Sequence, residues 1–180
     1  MSTRSIIVIT GLDNRHNSPQ TYRFYKHSDG YPSHTLDVIY HAINDAENVL
    51  KGDRSLSPTK MHTDLLAGKL IGHGTSQFGM GVKLEHESPS VLKPADYGEQ
   101  EDLEFIYVID TTKRSISIYG GGYLGQPPVA HLSKGELSEK DILRDDEKET
   151  KDLMNKIKSL GFKFIHKEKV KPKSNLVKIK

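Results

Sequence analysis

The chain has 180 residues, no cysteine and no tryptophan, and its 26 Lys and Arg against 24 Asp and Glu give a formal net charge of +2. That length suits one domain, or one domain with a tail. The lack of cysteine excludes a disulfide scaffold, a thiolate nucleophile and any Cys-ligated zinc or iron–sulfur centre. The longest aliphatic run, Ile6–Ile9, is far short of a bilayer span, and no signal-like apolar region follows Met1–Arg4. A cytoplasmic chain without a membrane partner is therefore expected, and near-balanced charge speaks against a uniformly basic nucleic-acid binder.

Thr3–Thr10 reads as a strand whose Ile6, Ile7, Val8 and Ile9 are apolar on both faces, the pattern of a strand inside a sheet covered on two sides. A polar, turn-rich stretch leads to a second strand, Thr21–Lys26, with Tyr22 and Phe24 on one face, and the two strands are expected to form a long-looped hairpin. Asp29-Gly30 supplies a turn, and Pro32 ends the ladder. Ser33 is read as the cap of a helix carrying Leu36, Ile39, Ile43, Ala46 and Leu50 at helical spacing and closing at Gly52. Ser57-Pro58 is expected to open a second helix, with Met61, Leu65, Leu66 and Leu70, that stops at Gly72.

No period is evident in 72–81, and 85–100 reads as a loop. Leu103–Asp110 is a strand largely apolar on both faces, and Ser115–Tyr119 alternates Ser and Ile as its partner. After a glycine-rich break, Ser138 is expected to cap one long helix reaching Leu160 before a Gly161 stop, and Phe162–Ile165 to add a strand. Strand pairs in sequence order imply an α+β protein: a mainly antiparallel sheet of four to six strands with about three helices. It would form one domain over 1–166, followed by a basic arm over 167–180. That arm holds six lysines and one glutamate, so near-neutrality averages a mildly acidic body and a basic tail.

Several constellations carry chemistry. Excision of Met1 would expose Ser2 at the head of the first strand, where an N-terminal serine can act as nucleophile with its own amine as base. Arg4 and Asp29 would then orient the substrate or the amine, with His27 and Tyr31 nearby, defining an amide hydrolase of N-terminal-nucleophile type. His34, Asp37 and His41 lie within two turns of a helix. His34 and His41 are seven residues apart, about 10 Å along the axis, too far for one ion, so no metal is expected. His73-Gly74-Thr75 and His131-Leu132-Ser133 match the His-x-Ser/Thr pattern of two-histidine phosphoesterases, but His16-Asn17-Ser18 and His86-Glu87-Ser88 match it equally.

The run Gly120–Gly125 resembles a phosphate-cradling loop. It is followed by Gln126-Pro127-Pro128 and not by a helix start, which favours a surface turn, and no cofactor is expected. A phosphate- or nucleotide-binding module would need His73, Gly74, Gly121 and lysines to converge. Phe78 and Tyr123, within the glycine-rich stretches, are candidate aromatic contacts to a partner. Lys169, Lys171 and Lys173 alternate along the arm, giving it a route to nucleic acid or to an acidic protein surface.

The block Met1-Ser2-Thr3-Arg4-Ser5-Ile6-Ile7-Val8, followed by Tyr25-Lys26-His27-Ser28-Asp29-Gly30-Tyr31-Pro32, resembles a group of small uncharacterised bacterial and bacteriophage proteins. Gly79-Met80-Gly81 and Glu104–Asp110 are similar to further blocks of that group. Ser33-His34 departs from the group's usual helix start, and nothing after Gly120 matches. The resemblance implies a bacterial or phage cytoplasmic setting and brings no activity with it. The Asp29–Pro32 turn displays His27, Asp29 and Tyr31 near a helix start, which suits positioning the helix or a recognition pocket, and the structural role is favoured; His34, just beyond the turn, is a further binding candidate. The expectation is a non-catalytic phage or mobile-element accessory protein that binds a host or phage protein, as an inhibitor or modulator of a host defence system.

Overall fold

The computed structural model describes residues 4–12, 18–26, 29–52, 61–76, 85–86, 103–120, 137–143 and 146–166. Among the described residues, six strands and four helices follow one another as β1 (Arg4–Leu12), β2 (Pro19–Lys26), α1 (Pro32–Gly52), α2 (Thr63–Ser76), β3 (Glu85–His86), β4 (Leu103–Asp110), β5 (Ser115–Gly120), α3 (Glu139–Ile142), α4 (Glu147–Ser159) and β6 (Lys163–Ile165). The strands form one sheet in the order β3-β2-β1-β4-β5-β6. The class is α+β, as the sequence suggests, but the sheet is mixed. β1–β2, β2–β3 and β4–β5 are antiparallel, whereas β1–β4 and β5–β6 are parallel. The expected hairpins form, but β4 returns beside β1 after two helices and β3. A return of that length gives a parallel neighbour, which a short turn cannot.

β1 is central because its β-branched run is apolar on both faces. Ile7 and Ile9, with Phe24, Tyr107, Ile109, Ile116 and Ile118, face the helices and meet Leu36, Ile39, Ile43, Leu66, Leu153 and Ile157 in the main core. Helix α1 buries Leu36, Ile39, Ile43, Ala46 and Leu50 as its spacing demands. It begins at Pro32, so Ser33 lies inside the first turn and does not cap it. Proline suits that place because its missing N–H falls where no helical partner exists.

Helix α2 runs past Gly72 to Ser76. Gly72 is exposed with open space around it, and a single exposed glycine costs only about 1 kcal/mol, too little to stop a helix anchored through Leu66 and Leu70. The expected start at Ser57-Pro58 lies outside the described residues, but the helix opens only at Thr63, so Met61, buried in the core, precedes it as non-helical backbone and is not one of its residues.

The expected long helix from Ser138 is two helices. Ser138 does cap α3, accepting from Asp141 N–H at 3.3 Å, but α3 ends at Ile142, and Asp146 caps α4 by accepting from Glu149 N–H at 3.4 Å. Residues 144–149 are all charged and offer nothing to bury, so a second aspartate cap competes successfully with helix continuation. Gly161, at φ 84°, ends the segment as anticipated. Among the described residues, no helix is long and apolar enough to cross a membrane.

Candidate functional site

Side chains facing the helices line up in rows across the strands. The rows Phe24–Ile7–Tyr107–Ile118 and Tyr22–Ile9–Ile109–Ile116 are apolar apart from the tyrosine hydroxyls. At the sheet end where β1 begins, the next row is Lys26–Ser5–Phe105–Gly120. Here the apolar face turns polar while still covered: Ser5 is 0 % and Lys26 4 % exposed. Among the described residues, Ser5 Oγ has no hydrogen-bond partner, an uncommon state for a buried hydroxyl. Burial pushes the Lys26 amine below its ordinary value, against the attraction of the Asp29 and Asp37 carboxylates.

The turn leading into α1 sits beside this row and is held from two sides. Below it, Tyr107 Oη, fully buried, donates to Gly30 O at 2.7 Å. Above it, Thr35 Oγ1 donates to Asp29 O at 3.4 Å, and Thr35 N–H to Tyr31 O at 2.9 Å. Asp29 adopts a left-handed backbone, φ 54°, a conformation aspartate tolerates better than most residues. Tyr31, half-buried, approaches Phe105 with ring centroids 6.4 Å apart. Asp29 and His34 are exposed. The result is a rigid promontory bearing a carboxylate, a phenol and an imidazole.

The structure thus joins the two sequence blocks that carry the resemblance. Ser5 pairs with Lys26 across β1 and β2, Arg4 opens β1, and Asp29, Tyr31 and His34 follow directly. His73 does not join them. It lies on α2 and its Nε2 bonds Asp45 Oδ2 at 2.9 Å, thirteen residues or about 20 Å along α1 from the turn. Beside it, His41 Nε2 lies 3.5 Å from Asp37 Oδ1, and the His41 and His73 rings are 5.6 Å apart. Among the described residues, no group of three or more His, Asp or Glu is arranged to hold a metal ion. Ser2, His27, Phe78, Gly121, Tyr123, Lys169, Lys171 and Lys173 lie outside the described residues.

Sequence reasoning passed over Ser5, Lys26 and Tyr107 as site residues. The signal for Lys26 was present, since it shares strand parity with Tyr22 and Phe24 and so belongs to the core face.

A pH-dependent prediction follows from Lys26. With its folded-state pKa below 10.5, the native chain releases this proton before the unfolded chain does, so this group makes stability rise with pH from the folded value up to 10.5. Below the folded value the cost of holding a buried ammonium is fully present. Lys26→Met, which keeps the stem and removes the charge, is expected to raise stability at pH 7 by about 1 kcal/mol and to flatten that alkaline rise. Urea titrations at pH 7 and pH 10 measure both, and a destabilised variant at pH 7 would contradict the assignment.

Comparison with known proteins finds no matching family model, no matching curated protein and no matching solved structure, so the geometry of this sheet end is what a functional reading has to rest on.

Proposed function

We propose that the protein acts by binding another macromolecule, and that the Asp29–His34 promontory is its contact point. The observation that carries this reading is the double anchoring of a turn that leaves Asp29 and His34 exposed and Tyr31 half-buried between them. Tyr107 spends a buried hydroxyl on Gly30 O while Thr35 holds Asp29 O and Tyr31 O, so three recognition-type side chains are displayed with little left to order on association. Aromatic residues in rigid settings are frequent binding hot spots, and an exposed carboxylate beside one selects a partner with a basic group. The bacterial or phage accessory role, as an inhibitor or modulator of a host system, rests on the resemblance of the Met1–Val8 and Tyr25–Pro32 blocks alone.

The test is isolation of a stoichiometric complex from bacterial lysate, repeated with Asp29→Asn/Tyr31→Ala. Asparagine keeps the left-handed turn and removes the charge. Loss of the complex is expected with the fold retained and only a small fall in melting temperature from the lost Tyr31–Phe105 contact, and with affinity down at least about tenfold, or about 1.4 kcal/mol. Failure to recover any stoichiometric partner, or full retention by the double variant, would overturn the proposal.

A further inference from the structure

The parallel neighbours at the middle of the sheet, β1 and β4, lead their chains apart at their carboxyl ends. In the order β3-β2-β1-β4-β5-β6, β1 continues to β2 on one side and β4 to β5 on the other. Chains that diverge in this way leave a crevice beyond the strand ends, and open α/β sheets take their ligands at such a place. The crevice lies at the other end of β1 from the promontory, since Leu12 is seven residues, or about 23 Å, along the strand from Ser5.

Helix α2 is seated on this end by its first residue. Thr63 Oγ1 lies 3.0 Å from Leu12 O and 2.9 Å from Thr111 Oγ1. Thr111 is tied to Thr10 O through its N–H at 2.8 Å and its hydroxyl at 3.2 Å. Gly11 makes room for this contact, because a Cβ there would stand 1.9 Å from Thr111 Oγ1 and 2.6 Å from Thr63 Oγ1. The first helical bond of α2 runs from Leu66 N–H to His62 O at 3.1 Å, so His62 holds the cap position. The N–H groups of Thr63, Asp64 and Leu65 precede that bond and have no acceptor inside the helix. Serine, threonine, aspartate or asparagine at the cap would accept from them, but a histidine stands there.

That histidine supplies a second, independent observation. His62 is only 6 % exposed, and among the described residues its Nε2 has no hydrogen-bond partner, although buried polar atoms are almost always paired. We propose that the crevice binds a phosphate group, held by the N–H groups of Thr63, Asp64 and Leu65 and by His62 Nε2 as an N–H donor. Every group in this set donates, a phosphate offers at least three acceptor oxygens, and the positive end of the helix dipole favours its charge. The carboxylate of Asp110, at the end of β4, is already met by Lys113 Nζ at 3.0 Å and Lys113 N–H at 2.9 Å. Asp64 is exposed in the first turn and opposes an anion, which gives the test a second handle.

Amide resonances of the isotope-labelled full chain, followed during titration with inorganic phosphate and with chloride at equal ionic strength, test the proposal. The amides of Thr63, Asp64 and Leu65 should shift to saturation in phosphate and not in chloride. His62→Gln should weaken phosphate binding by about tenfold or more, because it removes the imidazole donor. Asp64→Asn, a change at an exposed position, should tighten binding by about threefold. A parallel titration with glycerol phosphate identifies the source of the group. Tighter binding than inorganic phosphate marks a phosphomonoester ligand, weaker binding marks free phosphate, and either order supports the site. Shifts at these three amides that are the same in chloride, or an unchanged affinity in folded His62→Gln, would refute it. Should His62→Gln not fold, the wild-type amide shifts and the response to Asp64→Asn still decide, and weaker binding by Asp64→Asn counts against the site.

Discussion

Arg114→Ala is expected to destabilise the protein by about 3–5 kcal/mol, the cost of stranding a buried charge. Arg114 stands at the end of the β4–β5 turn, and its guanidinium pairs with Glu47 of α1, whose side chain is only 11 % exposed. The same group donates to Leu160 O at 2.9 Å, beyond the end of α4, and lies over the Phe162 ring at 5.1 Å. Its carbonyl accepts from Lys163 N–H at 2.9 Å, fixing the first residue of β6. Alanine retains Cβ, so the left-handed backbone at φ 50° gains no strain, and the loss belongs to the side chain. At about 2–4 °C per kcal/mol for a chain of this size, the melting temperature should fall by roughly 10 °C. Arg114→Met/Glu47→Leu, which removes both charges, should recover most of that loss, since apolar replacement of a buried pair is often near neutral. A double variant as unstable as Arg114→Ala would show that the carboxylate is not the cause.

The residues of this clamp show what the sequence could and could not reveal. β1, β2, β4 and β5 were legible because their alternation or two-sided apolar character is local, and α1 because Leu36, Ile39, Ile43 and Leu50 repeat at the helical period. The placement of β4 against β1 was not, because parallel pairing between residues about a hundred positions apart leaves no local pattern. Nor was the pairing of Arg114 with Glu47, sixty-seven residues away, since each looks like an ordinary surface charge until the fold closes. The Asp29–Pro32 turn was readable from turn chemistry, whereas its anchoring by Tyr107 was not. Lys26 misled in another way. A lysine at a strand end normally carries its charge out to water along a flexible stem, and here it is buried within the influence of the Asp29 and Asp37 carboxylates.

Tyr107→Phe separates the two roles of the sheet end, folding and recognition. The phenyl ring keeps its place between Ile7 and Ile118, so packing is conserved, but Gly30 O loses the donor at 2.7 Å in a buried setting. Leaving such a carbonyl unsatisfied costs about 1–3 kcal/mol, and the melting temperature should drop by several degrees, at about 2–4 °C per kcal/mol. The loss should be local as well as global, because the hydroxyl links residues seventy-seven apart and is what pins the turn to the sheet. Amide exchange at Gly30 and Tyr31 should therefore accelerate more than exchange at Ile39 or Ile43 within α1. If the promontory is the binding element, its three displayed side chains remain intact yet less ordered, and partner affinity should weaken by about tenfold through the added ordering cost alone. Weakened binding with Asp29, Tyr31 and His34 untouched would tie function to the rigidity of the turn. Unchanged affinity alongside faster exchange would show that the partner selects side chains and not their geometry.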